Sequence, residues 1–120
     1  NVLMCVGTRF AVVCGECIRA ESRAGVFEAL RAGGRTLVEL SLAQLKSFAG
    51  NMLELRTRQG GTLIAMSSRA IESLSDAQRA ALEASVDRIV AVPIPTIETL
   101  GGGSVRCMLA EVHLPEKSAT

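Results

Sequence analysis

A cysteine follows a glycine run near the end of the sequence, in the segment GGGSVRC at residues 101 to 107. Glycine lets a backbone approach other groups closely, and a cysteine thiolate is a strong nucleophile. The apolar residues around it predict a buried final strand that begins near Ser104 and carries Cys107. Cys107 is therefore the candidate nucleophile. Its alternative role is that of a small, packed strand residue.

A thiol that attacks carbon needs a base to form the thiolate, and the sequence contains one histidine, His113. On a regular strand, at about 3.3 Å per residue, Cys107 and His113 would lie roughly 20 Å apart. That separation is too long for direct proton transfer. We therefore expect His113 to be a strand-end residue, although a partner chain could still present a base to Cys107.

Cys14 and Cys17 have the spacing of half a zinc site. A structural zinc site needs four ligands, and no second cysteine pair or histidine cluster completes the set. Residues three apart on a strand also face opposite sides of the sheet. We therefore expect no metal and no organic cofactor, and we expect the four cysteines, Cys5 and Cys107 included, to be free thiols.

The composition is typical of a compact α/β protein, with 48% hydrophobic and 21% charged residues in a chain of 120. A net charge of +1 without a dense basic cluster, and an aromatic fraction of 2%, argue against nucleic acid as a partner. No apolar run reaches the roughly 18 residues of a membrane helix, and no secretory signal pattern opens the chain. These features predict a cytoplasmic protein without a membrane partner.

Hydrophobic patterning predicts the order strand, strand, helix, strand, and the same order then recurs. Capping boxes at Ser41 and Ser75 predict two further helix starts. The prolines at 93 and 95 and the glycine run predict a loop over residues 93 to 103. Because an apolar strand begins at residue 1, we expect that an element once preceded Asn1. The predicted fold class is α/β, with two ββαβ units at about residues 1–50 and 51–120 of a single truncated domain.

Three segments resemble the pentein superfamily of guanidine-modifying enzymes, and within it the amidinotransferases and arginine-deiminase-like hydrolases. They are NVLMCVG at the start, FAGNMLEL at residues 48–55, and PIPTIETLGGGSVRCMLAEVHLP at residues 93–115. The resemblance implies a ring of ββαβ units with mixed sheets and the helices packed outside, of which this chain resembles the last two. It also implies that Cys107 attacks a guanidino or ureido carbon to form a thiouronium-type intermediate, which water hydrolyses.

The resemblance also bears on the substrate pocket. Asn51 resembles a family position near it, and its alternative role is an amide that caps the preceding turn. The backbone at Gly102 and Gly103 can approach a ligand closely, and the alternative is that these glycines only form a turn. Arg106 offers a positive charge beside the thiol, and its alternative role is that of a solvated strand side chain. Glu98 is expected to approach the same pocket from the predicted loop. The base histidine and the acidic ligands of the family pattern are not in this sequence.

We therefore predict a truncated relative of cysteine-dependent guanidino or ureido hydrolases or amidinotransferases that lacks full activity alone. An arginine-like small molecule is its expected ligand. Edge strands left bare are templates for pairing, so we also expect a homo-oligomer. The alternative is a small-ligand or protein-interaction module without turnover, formed by oligomerisation, and a third possibility is a fragment without an independent role.

Overall fold

Two three-stranded sheets of the same topology form the framework of the chain. The structure, a computed structural model, describes residues 2–112. The first sheet contains β1 (Met4–Val6), β2 (Phe10–Cys14) and β3 (Thr36–Leu40), and the second contains β4 (Leu53–Arg56), β5 (Thr62–Ser67) and β6 (Arg88–Val92). In each sheet the first two strands pair antiparallel and the last two pair parallel. These mixed sheets confirm the predicted α/β fold of ββαβ units.

Helices connect the parallel strands, as parallel pairing requires. Five α-helices lie in the described range: α1 (Ala20–Ala32), α2 (Leu42–Lys46), α3 (Ser68–Glu72), α4 (Asp76–Glu83) and α5 (Pro95–Gly101). Both predicted capping boxes are present, because the hydroxyls of Ser41 and Ser75 each accept a hydrogen bond from the N–H group three residues later. Between residues 2 and 112, no helix has the length and apolarity needed to cross a membrane.

The two units share one hydrophobic core. Strand β2 is buried along its whole length, which is typical of a strand covered on both faces. A single cluster of buried side chains takes members from both sheets and from α4. The largest of its fully buried residues are Phe10, Leu40, Met52, Ile64, Met66 and Leu82. The second unit therefore packs directly on the first.

The end of the chain departs from the sequence prediction in two places. The predicted loop at 93 to 103 contains helix α5, because Pro95 has the backbone angle that a first helical turn requires and Gly102 ends the helix at a φ of 66°. The predicted final strand is also wrong. Val105–Met108 form a 3₁₀ helix, closed by a 3.0 Å hydrogen bond from the Cys107 N–H to the Ser104 carbonyl.

Two glutamines, one at the start of α2 and one at the start of α4, join the two units. The Gln44 amide nitrogen donates to the Gln78 amide oxygen at 2.6 Å and to the Ser73 carbonyl at 2.9 Å. The Gln78 amide nitrogen donates to the Glu39 carbonyl at 2.6 Å. Each glutamine also belongs to the capping box of its own helix. Gln44 and Gln78 therefore each stabilise the start of their own helix and also form hydrogen bonds to the other unit.

We predict that Gln78→Ala lowers the free energy of unfolding by about 1–3 kcal/mol, because it leaves the partly buried amide of Gln44 without one of its partners and removes the bond to the Glu39 carbonyl. Urea unfolding measures the loss. Gln59→Ala, in the exposed turn between β4 and β5, is the matched control and should change stability by no more than about 0.5 kcal/mol.

A double-mutant cycle measures the interaction energy between Gln44 and Gln78. Gln44→Ala and Gln78→Ala together should cost less than the sum of the two single losses by at least about 0.5 kcal/mol, since either change alone already breaks the shared bonds. Strictly additive losses would show that the two glutamines do not couple the units.

Candidate functional site

The side chain of Asn51 joins the start of β4 to the 3₁₀ helix that carries Cys107. Its amide nitrogen donates to the Cys107 sulfur at 3.1 Å, and its amide oxygen accepts from the Arg106 N–H at 3.1 Å. Asn51 is fully buried, whereas Cys107 is exposed. The expectation that Cys107 sits on a buried strand is therefore wrong. A buried amide instead holds an accessible thiol in a fixed position.

The pKa of the Cys107 thiol is lowered from its ordinary value, and the hydrogen bond from Asn51 is the main cause. A donor aimed at sulfur stabilises the thiolate more than the neutral thiol. A backbone hydrogen bond at Ser104 and the positive charge of Arg106 act in the same direction, while slight burial opposes them. The thiolate is the reactive form, so access and a lowered pKa together suit Cys107 to nucleophilic attack.

The glycine run gives the thiol its space. A Cβ atom built on Gly103 would lie 3.0 Å from the Cys107 sulfur and 3.1 Å from its Cβ. Gly102 has a φ of 66°, a backbone conformation in which side chains other than glycine are strained. These two glycines therefore allow the chain to turn from α5 and to pass close beside the thiol.

Glu98 lies on α5 and not on a loop, so that part of the sequence prediction is wrong. Its side chain is 4% exposed, and its carboxylate accepts a 2.7 Å hydrogen bond from the hydroxyl of the fully buried Ser104. It borders a separate cavity of about 220 Å³. Sequence reasoning missed Ser104, because a serine after glycines is typical of a turn and its partner is recognisable only in space.

An open cleft of about 820 Å³ adjoins the 3₁₀ helix on the side of Arg106. Its charged lining residues are Arg35, Glu54, Arg56, Arg106 and Glu111. Cys107 is the next residue along the chain but does not itself line the cleft. The Arg106 guanidinium donates to the Met52 carbonyl at 3.3 Å, which anchors the cleft wall to β4. Charges of both signs suit a ligand that carries both a cation and an anion.

Glu54 is a cleft residue that sequence reasoning missed. Its carboxylate accepts hydrogen bonds from the N–H and the hydroxyl of Thr8, at 2.7 and 2.8 Å, and so ties β4 to the turn between β1 and β2. A Cβ atom on Gly7 would collide with this carboxylate and with the Phe10 ring. The available signal was a single charged residue within the mostly apolar segment FAGNMLEL.

Cys5 lies near Arg106 but has the opposite character to Cys107. Burial raises the pKa of its thiol to about 11, and the nearby Arg106 opposes that effect only in part. Cys5 is 1% exposed. It therefore remains a neutral, inaccessible thiol at the edge of the site.

Two other features of the sequence prediction concern His113 and the pair Cys14 and Cys17. His113 lies outside the described residues. The separation estimated for it assumed a strand at Cys107, so that estimate does not apply to a 3₁₀ helix. Cys14 and Cys17 do not face opposite sides: their sulfurs are 3.4 Å apart because Gly15–Cys17 form a 3₁₀ helix. Residues 2–112 contain no group of three or more His, Cys, Asp or Glu side chains placed to hold a metal ion.

Comparison with known protein families identifies a match for nearly the whole chain. The family model described as N,N dimethylarginine dimethylhydrolase, eukaryotic, matches residues 1–114, a range that contains both ββαβ units and Cys107 with its neighbours. This match places the chain in the pentein superfamily and confirms that resemblance. No curated protein and no solved structure matches the chain.

We predict that Asn51→Leu shifts the pH midpoint of Cys107 alkylation upward, because the variant removes the donor that stabilises the thiolate. Asn51→Asp should shift the midpoint further, since it also places a negative charge beside the sulfur. Alkylation at each pH is followed by mass spectrometry of tryptic peptides. Cys17, on another peptide, is the internal control, and an unchanged Cys107 midpoint in both variants would contradict the assignment.

We predict that Gly103→Ala slows alkylation of Cys107 by roughly tenfold, equivalent to about 1.4 kcal/mol, because the added methyl group presses on the thiol. Gly25→Ala is the matched control, since a Cβ atom at Gly25 meets nothing within 4 Å. Equal alkylation rates in the two variants would show that the space beside the sulfur does not matter.

Proposed function

The chain belongs to the N,N-dimethylarginine dimethylhydrolase family, and from this membership we propose that it acts as a cysteine-dependent hydrolase on the guanidino or ureido carbon of arginine-like molecules. The observation that carries the proposal is the 3.1 Å contact between the Asn51 amide nitrogen and the Cys107 sulfur. That contact lowers the pKa of a thiol that is also exposed. A nucleophile needs both properties.

The proposed reaction begins when the Cys107 thiolate forms a C–S bond with the guanidino carbon. The C–N bond to the leaving amine then breaks, the amine takes up a proton, and a thiouronium intermediate remains on Cys107. Water adds to the same carbon and displaces the thiolate as the C–S bond breaks. It loses two protons in this step: one replaces the proton that the leaving nitrogen took up, and the other protonates the released amine. In sum, a guanidinium and water give a ureido compound and a protonated amine, and Cys107 returns to its starting state.

The cleft supplies charges that fit both ends of such a substrate. The carboxylates of Glu54 and Glu111 suit a guanidinium group, and the guanidinium groups of Arg35 and Arg56 suit an α-carboxylate. In this proposal Arg106 lies between the cleft and Cys107, with its backbone held by Asn51. Gly102 and Gly103 keep the approach to the sulfur open. Glu98 acts through Ser104 and positions the turn.

We place the base of this reaction outside residues 2–112. Residues 2–112 contain no histidine, and the two proton steps require a group that accepts and returns a proton near neutral pH. The chain alone should therefore turn over slowly, and an added base should accelerate it. Free imidazole is the natural probe, since it has the acid–base chemistry of a histidine side chain.

The testing experiment measures amine and ureido product from dimethylarginine, monomethylarginine, arginine, agmatine and citrulline, with and without imidazole. We predict that imidazole raises turnover of at least one substrate by about tenfold or more, within the range that general base catalysis contributes. Cys107→Ser should abolish this turnover. Cys17→Ser, which changes an exposed cysteine far along the chain, is the matched control and should retain it.

Two further measurements separate the sources of the base. If a second copy supplies it, specific activity should rise with protein concentration. If His113 supplies it, His113→Ala should abolish turnover without imidazole. Turnover that survives Cys107→Ser would overturn the proposal as a whole.

The second candidate is a binding module without turnover, formed by self-association. An apolar cavity of about 420 Å³ beside the 3₁₀ helix favours it, because a protein seldom leaves such a surface uncovered. Its lining includes Leu55, Leu63, Val90, Met108 and Leu109. A folded protein that binds dimethylarginine, sediments as an oligomer and shows no turnover with imidazole would favour this candidate.

A further inference from the structure

A second pair of thiols lies away from Cys107, at the end of β2. The sulfur of Cys17 donates a hydrogen bond to the sulfur of Cys14 across 3.4 Å. Both residues are free cysteines. Neither one lines the cleft or contacts Asn51, so the hydrolase chemistry proposed above does not use them.

Local backbone structure brings the two sulfurs together. Strand β2 ends at Cys14, and the next three residues form a 3₁₀ helix closed by a 3.1 Å hydrogen bond from the Ile18 N–H to the Gly15 carbonyl. Side chains three residues apart eclipse in a 3₁₀ helix, so Cys17 lies over Cys14. A Cβ atom on Gly15 would collide with the carboxylate of Glu39 and the ring of Phe27. A glycine between the cysteines is therefore part of the arrangement.

The two thiols differ in their access to solvent. Cys14 is 0% exposed and belongs to the hydrophobic core, whereas Cys17 is exposed. A dissolved reagent can therefore reach Cys17 and not Cys14. The buried thiol is already at the position from which it can attack a group attached to Cys17. This is the arrangement of an attacking thiol and a resolving thiol.

We propose that Cys14 and Cys17 form a reversible disulfide, and that a small-molecule disulfide such as oxidised glutathione is the oxidant. The Cys17 thiolate attacks one sulfur of the oxidant and releases one glutathione thiol, which leaves a mixed disulfide. The Cys14 thiolate then attacks the Cys17 sulfur and releases the second glutathione thiol. Two protein thiols lose their protons and are oxidised, and one external disulfide is reduced to two thiols.

The geometry requires little movement for this bond to form. A disulfide has an S–S length of about 2.05 Å, so the two sulfurs need to approach by roughly 1.4 Å. The exposed Cys17 can make this movement without disturbing the core around Cys14. The hydrogen bond between the two thiols raises the pKa of Cys17 and so reduces its thiolate fraction. The test is therefore run to equilibrium and does not depend on rates.

Tryptic digestion places the Cys14–Cys17 pair on a peptide that contains no other cysteine, so the oxidation state of the pair can be read directly from the mass of that peptide. Cleavage after Arg9, Arg19 and Arg106 places Cys5, the Cys14–Cys17 pair and Cys107 on three different peptides. The folded protein is equilibrated with glutathione buffers of increasing oxidised fraction, quenched with excess maleimide in denaturant, digested and weighed. We expect the peptide of residues 10–19 to change from two maleimide labels to none, with the mass of an internal disulfide.

Two variants complete the test. In Cys14→Ser the resolving thiol is absent, so Cys17 should instead accumulate bound glutathione, and Cys14→Ala repeats the measurement with an apolar residue that the core accepts more readily. Dithiothreitol should restore both labels in the parent protein. Two labels on peptide 10–19 in every buffer, or a lasting glutathione adduct on Cys17 of the parent, would overturn the proposal. Cys107 is read on its own peptide, so failure of the hydrolase proposal would leave this result unaffected.

Discussion

The buried side chain of Asn51 is the constraint on which the site depends. An unpaired buried polar group costs about 1–3 kcal/mol, so this amide is stable in the core only while the groups it binds remain in place. Those groups include the Arg106 N–H and the Cys107 sulfur. The amide therefore holds the 3₁₀ helix, and the 3₁₀ helix in turn satisfies the amide. Because Asn51 is buried and must be satisfied, it fixes the position of Cys107, and its hydrogen bond lowers the pKa of that thiol.

The surrounding elements hold this contact from several sides. Met52, next to Asn51, is fully buried, and its carbonyl accepts a hydrogen bond from the Arg106 guanidinium. In addition, α5 holds Ser104 through Glu98, and the Ser104 carbonyl accepts a hydrogen bond from the Cys107 N–H. The turn is thus fixed by β4, by α5 and by its own backbone. A nucleophile supported in this way needs no rearrangement to present its sulfur, which is what preorganisation requires.

Hydrophobic periodicity predicted β1 to β6 and α1 correctly, although not the supposed final strand, because burial on one or both faces leaves a direct trace in the sequence. Two serines with glutamine three residues later predicted the starts of α2 and α4 for an equally local reason. The segment after Pro93 has no pattern that identifies one type of secondary structure, since a short apolar run is compatible with a strand, a helix or a 3₁₀ turn. The contacts of Asn51 with Cys107 and of Ser104 with Glu98 join residues whose pairing depends on the finished fold. The pentein resemblance pointed to Cys107 and Asn51, but not to the bond between them.

The four cysteines show how far environment decides the chemistry of one residue type. Cys5 is buried with its pKa raised, Cys14 and Cys17 are paired with each other, and Cys107 is exposed beside a donor. The most direct test of this account is a thiolate titration by ultraviolet absorbance, in which the curve of Cys107→Ser is subtracted from that of the parent protein. The account predicts a difference step with its midpoint below the ordinary value of a free cysteine thiol. A midpoint at or above that value would contradict the claim that Asn51 activates Cys107.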